Sequence, residues 1–187
     1  MAFLTHYTDP KKKVLQIVEI VCAIIAIVAA VFLIPPAIER HKIYQQAVAL
    51  HEQGHERIHA NDLEGARECF EAALRLDSKL EDSYMELASL HYFEQEFEKE
   101  RAMYHRGLKE LPESTNLRFH LAESLFLSGA FQEAQAEAQR VVDIDPDYGP
   151  AVALIERCKE MIKHPEKRKY IHTLEQRKNE RRSHVDH

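Results

Sequence analysis

Glycine is scarce in this chain of 187 residues, numbering 5, and tryptophan is absent. With the β-branched residues crowded into one stretch, this argues against a sheet protein and for an all-α fold. The three cysteines, Cys22, Cys69 and Cys158, are odd in number and form no CxxC pair. A disulfide framework or thiolate metal site is not expected, and they read as small apolar packing residues. No glycine-rich phosphate loop, nucleophile elbow or dinucleotide fingerprint occurs. Nothing therefore points to nucleotide binding or serine-type hydrolysis, and no catalytic residue, cofactor or small-molecule substrate is expected. Net positive charge is also lacking: the formal charge is −6, and residues 47–148 carry 10 Lys plus Arg against 22 Asp plus Glu. Such an acidic body repels phosphate, which argues against nucleic acid as a partner. The balance reverses over residues 149–187, at 10 against 6, so the tail is basic.

What the sequence holds is one pattern returning three times at a spacing of 34. Gly54, Ala88 and Ala122 form one column, Phe70, Tyr104 and Ala138 a second, Ala73, Gly107 and Val141 a third, and Ser78, Pro112 and Pro146 a fourth. Small residues let two helices approach closely while the aromatic fills the next gap. These columns resemble the tetratricopeptide repeat, with departures: the early aromatic is Leu50, Tyr84 and Arg118, and the early alanine of the second helices is Ala66, Glu100 and Ala134. Glu100 is the poorest fit to its column. The resemblance implies an α-solenoid of helical hairpins at 47–80, 81–114 and 115–148, with turns near Asn61-Asp62, Gln95-Glu96 and Ser128-Gly129. A capping helix is expected over 149–164, carrying Ala151, Ile155, Cys158 and Ile162 on one stripe, before a basic tail at 165–187.

Ahead of the repeats, a short polar segment at 1–13 ends in Lys11, Lys12 and Lys13. Residues 14–34 form an apolar run broken only by Gln16 and Glu19, about the length that crosses ~30 Å of hydrocarbon. This run reads as an uncleaved transmembrane helix. A signal peptide cut near Val28-Ala29-Ala30 is the competing reading, but the run is long for one and continues to Ile34. Three lysines before the span, against Arg40 and Lys42 after it, favour a cytoplasmic N-terminus and an extracytoplasmic repeat domain, periplasmic in a bacterium. Glu19, Ala23, Ala26 and Ala30 recur at helical spacing, giving a small-residue face expected to pack on a membrane subunit. Pro35 and Pro36 close the span, and a helical connector over 35–46 leads into the first repeat.

The resemblance places a partner-binding groove on the first helix of each repeat. In this chain it comprises His51, His55 and His59, then Met85, Ser89, Tyr92 and Phe93, then Phe119, Glu123, Phe126 and Leu127. Some members of the family bind acidic C-termini of heat-shock chaperones through Lys, Asn and Arg. The corresponding places here hold His51, His55, Asp82 and Glu86, which disfavour such a ligand. His51-Glu52-Gln53-Gly54-His55 also fits HExxH; the pattern raises a zinc hydrolase as an alternative, against which Gly54 is already explained as a packing residue. The expected function is a single-pass, non-catalytic scaffold, accessory subunit or assembly factor that grips membrane subunits through its anchor and its groove. A further alternative is an adaptor to anionic surfaces through the basic tail.

Overall fold

The computed structural model describes residues 10–168. The chain divides into two compact units, residues 1–46 and 47–187. In the first, helix α1 runs Pro10–Val28, a π-helical turn covers Ala29–Leu33, and helix α2 runs Ile34–His59 into the second unit. The expected single spanning helix over 14–34 is thus divided, with the lysine cluster inside α1 and both prolines inside the first turn of α2. Among the described residues, no helix is long and apolar enough to cross a membrane. The division has a local cause. Pro35 and Pro36 cannot donate to the carbonyls four residues back, and the ladder ahead of them opens into a wider turn.

The second unit is an all-α helical-repeat solenoid. The part of α2 from Ala47 lies against α3 (Leu63–Leu76), with Gly54, His51 and His55 on Phe70; α4 (Glu81–Phe93) pairs with α5 (Phe97–Glu110) and α6 (Thr115–Leu127) with α7 (Phe131–Ile144), and α8 (Gly149–Lys163) follows as a cap. Pro165 begins a 3-10 turn to Arg168, and the expected tail beyond it lies outside the described residues. Every position in the three packing columns is buried. The contact is close at Gly54, where an added Cβ would meet the Phe70 ring at 2.4 Å, and at Gly107, where it would meet Leu117 at 2.7 Å. Cys158 is wholly buried among the α7–α8 residues, and burial pushes its thiol up to about 11, so it serves as an inert apolar filler.

The three hairpin turns share one hydrogen-bond pattern, again 34 residues apart. Asn61, Gln95 and Gly129 adopt φ of 58°, 60° and 84°. Their amides bond Ile58, Tyr92 and Phe126, and the next amides bond Arg57, His91 and Leu125. This double bond across a left-handed residue closes each first helix and reverses the chain. Glycine meets that demand without strain, asparagine with little, and glutamine with most. Between hairpins, polar pairs tie neighbouring repeats: Arg106 to Glu71 at 2.6 Å, Ser78 to Glu110 at 2.8 Å and Asn116 to Glu81 at 3.0 Å.

Three substitutions test this packing and the turns. Gly54→Ala is expected to destabilise by about 1–2 kcal/mol, the clash with Phe70 outweighing the ~1 kcal/mol gain in helix propensity. Gly149→Ala, where nothing lies within 4 Å of the added Cβ, stays within about 0.5 kcal/mol of the parent. Gln95→Gly is expected to stabilise by roughly 0.5–1 kcal/mol by relieving the left-handed conformation. Urea melts of the three variants read each value.

Candidate functional site

The first helices α2, α4 and α6 present one groove to solvent, and the structure resolves it into two adjoining hollows that share Met85 and His120. One, of about 230 Å³, is lined by Met85, Ser89, Tyr92, Phe93, His120, Glu123, Ser124 and Leu127 from first helices and by Glu100 and Tyr104 from α5. The other, of about 390 Å³, is lined by His51, His55, Glu81, Asp82, Met85, Glu86, Asn116 and His120. Neither hollow has a lysine or arginine among these residues. The groove is therefore aromatic and acidic, with histidine as its only nitrogen base.

Glu100 is the unusual group. It occupies a column otherwise filled by Ala66 and Ala134, and its longer side chain extends into the hollow while the residue remains only 5% exposed. Ser124 Oγ donates to its Oε2 at 3.0 Å, and the Tyr104 hydroxyl lies at 3.5 Å from Oε1. Burial raises its pKa above the ordinary value; the Ser124 bond, the nearby Arg101 charge, the Tyr104 bond and His120 oppose the shift without cancelling it. Tyr104, buried beside this carboxylate, is pushed up as well.

At the other end, the HExxH histidines face each other, with Nε2 atoms 3.1 Å apart, and His51 Nδ1 is hydrogen-bonded to Ser83 Oγ at 3.0 Å. Both rings lie against Phe70, with centroids 5.3 and 5.6 Å away. Burial and the neighbouring His55 lower the pKa of His51, so it is neutral near pH 7. Glu52 is exposed and does not line the hollow, which leaves the general base of a zinc hydrolase away from the histidine pair. A second convergence, His91, Glu94 and Glu96, has donor atoms within 4.8 Å of one another. Arg67 already supplies a cation there, bonding Glu94 at 2.7 Å and His91 at 3.2 Å, and Lys99 bonds Glu96 at 2.7 Å.

Of the residues expected in the groove, Met85, Ser89, Tyr92, Phe93, Glu123 and Leu127 share one hollow, and His51 and His55 lie in the next. Phe119 packs against Tyr148 and His120 at centroid distances of 5.3 and 5.7 Å. His59 is exposed at the end of α2 and lines neither hollow. Phe126 is a correction: it is 3% exposed, pressed against Phe131 at 5.3 Å and covered by Arg157 at 4.4 Å. The reason is that α6 carries apolar residues around its circumference, and Phe126 falls on the side facing α7 and α8. On the expected membrane face, Glu19, Ala23 and Ala26 are exposed on α1, while Ala30 is exposed in the π-helical turn. Sequence reasoning missed Glu100, Tyr104, His120 and Ser124. The signal for the first was its misfit in a small-residue column.

The raised Glu100 pKa has a signed consequence. A carboxyl that binds its proton more tightly when folded contributes stability in acid that is lost as pH rises from about 4.5 through its folded value. Glu100→Gln is therefore expected to exceed the parent by on the order of 1 kcal/mol at about pH 7 and to match it near pH 4. Thermal melts at the two pH values check this.

The described solenoid has relatives among solved structures. The first repeat domain of human RPAP3 matches with a TM-score of 0.56 at 15% identity, over 66% of this chain and 97% of that one. The same domain of Spaghetti (RPAP3), bound to the HSP90 peptide SRMEEVD, gives 0.55 at 16%, over 63% and 94%. The Yersinia enterocolitica type III secretion chaperone SycD, in complex with a peptide of the translocator YopD, gives 0.52 at 17%, over 59% and 90%. At these identities the likeness is one of fold. No curated protein sequence matches the chain. Residues 43–80 and 101–158 each match the tetratricopeptide repeat, so the hairpins over these residues are tetratricopeptide repeats.

Proposed function

We propose that this protein is a non-catalytic, membrane-anchored interaction scaffold, an accessory subunit or assembly factor of a membrane protein complex. The observation that carries the interaction reading is the groove, where Phe93 is 61% exposed beside Tyr92, Met85 and Leu127 in an otherwise acidic surface. Aromatic and aliphatic groups gathered in a hollow and rimmed by charge are the mark of a site for a partner segment. That similarly folded domains hold peptides in their solved structures agrees with this reading.

Support for anchoring comes from α1. Its Val14, Leu15, Ile17, Val18, Ile20, Val21, Ile24, Ile25, Ile27 and Val28, with Val31 of the π-helical turn, are 47–62% exposed, and they occupy the helix surface on either side of the strip that carries Glu19, Ala23 and Ala26. So broad an exposed apolar face belongs in lipid or under other helices. Neither element suffices alone, but α1 from Val14 and the turn to Leu33 follow one another without a break, and together they supply about 30 Å of apolar length. In this reading Glu19, Ala23, Ala26 and Ala30 meet a membrane subunit, the N-terminus is cytoplasmic and the repeats are extracytoplasmic. Two contacts on one tethered partner reinforce each other, since a short spacer raises the effective concentration of the second to the order of millimolar.

Membranes carrying a C-terminally tagged chain test both halves. The chain is expected to remain in the pellet after alkaline carbonate extraction; release into the supernatant overturns anchoring. After mild solubilisation, a defined set of membrane proteins is expected to co-purify and to fall at least tenfold with Phe93→Asp plus Leu127→Asp. Unchanged partners overturn the groove.

A further inference from the structure

We infer that the Glu100 hollow is a socket for a single lysine or arginine side chain presented by an apolar segment of a partner protein. This rests on the reading of the chain as a peptide-binding scaffold and names the chemistry of the peptide. Glu100 is a carboxylate where the repeat pattern requires only a small residue, and it is aimed into the hollow rather than out to solvent. Its hydrogen bonds are few. A carboxylate offers about four acceptor sites, whereas Glu100 receives Ser124 at 3.0 Å and Tyr104 at a long 3.5 Å.

An apolar occupant would strip the remaining water from this group and return nothing for it. An anionic occupant would meet Glu100 and Glu123 in the same hollow and Glu81, Asp82 and Glu86 in the next, with no lysine or arginine lining either. A cation is favoured by each of these carboxylates; Arg101, which lies beside Ser124 at 3.5 Å, opposes it but is itself paired with Glu98 at 2.5 Å. The walls suit the cation's stem and head: Met85 and Leu127 line the hollow for an aliphatic chain, and the Phe93 ring, 61% exposed, stands at its edge for an ammonium or guanidinium. The exposed Phe93 continues the apolar surface beyond the hollow, so that residues flanking the cation have apolar contacts. The ligand is thus opposite in charge to SRMEEVD, the peptide on the similarly folded Spaghetti domain.

The test is selection from a displayed library of random nonapeptides against the full chain in mild detergent. Enriched peptides are expected to share one Lys or Arg flanked by apolar residues. Changing that residue to Gln is expected to weaken binding at least tenfold in fluorescence anisotropy. Glu100→Gln, checked for folding by circular dichroism, is expected to abolish the basic preference while still selecting apolar peptides. Enrichment of neutral or acidic peptides, or an unchanged basic preference in Glu100→Gln, overturns the socket and leaves the interaction reading standing. Selection of no peptide overturns both. If basic peptides are captured only after Arg177, Lys178, Arg181 and Arg182 are changed to Glu, the chain's own tail is the occupant and the partner assignment falls.

Discussion

The stack depends on aromatic rings pressed onto backbone where no side chain intervenes. Phe70 lies where a Cβ on Gly54 would stand, and Tyr84 and Leu117 crowd Gly107 in the same way. Each such contact sets how closely two helices approach, and the next hairpin inherits that placement. The groove is a result of this registration. Met85, Tyr92, Glu123 and Leu127 come from different hairpins, and they meet because the small-residue columns bring α4 and α6 to a common side.

Much of this was legible in one sequence, for a physical reason. Close packing of helices needs small residues at fixed intervals, and Gly54, Ala88 and Ala122 record that need directly. The hairpin turns were legible from polar and glycine residues, although their common left-handed position was not. What escaped was direction. A helix apolar on two sides does not say which aromatic faces inward, and so Phe126 went to the core and Phe93 to the surface. The groove's second-helix contributors escaped because family logic assigns that surface to first helices, whereas a side chain as long as Glu100 reaches it from α5. The apolar stretch from Val14 was legible as composition; its division at Ala29 depended on what two adjacent prolines do to the hydrogen-bond ladder behind them.

Glu100 also shows how a repeat pattern separates scaffold from specificity. Where Ala66 and Ala134 fill equivalent places at no electrostatic cost, Glu100 is held in a surrounding that favours its neutral form. A buried carboxylate in a column of alanines, its charge opposed by burial, is more readily explained by what it meets from outside than by what it holds together. The contrast with the HExxH histidines is instructive. They are satisfied internally, by each other and by Ser83, and read as part of the wall.

The middle hairpin carries both the strained left-handed glutamine and the buried carboxylate, while the outer hairpins have asparagine and glycine at the turn and alanine in the column. In an array whose units touch only their neighbours, melting ordinarily proceeds inward from the ends. Here both of these costs fall on the central unit, whose opening would separate the first repeat from the third. A segment bridging α4 and α6 spans that parting line, and its arrival would act as a splint: occupancy of the groove and the cooperativity of the whole array become one quantity, read as easily in amide exchange as in binding.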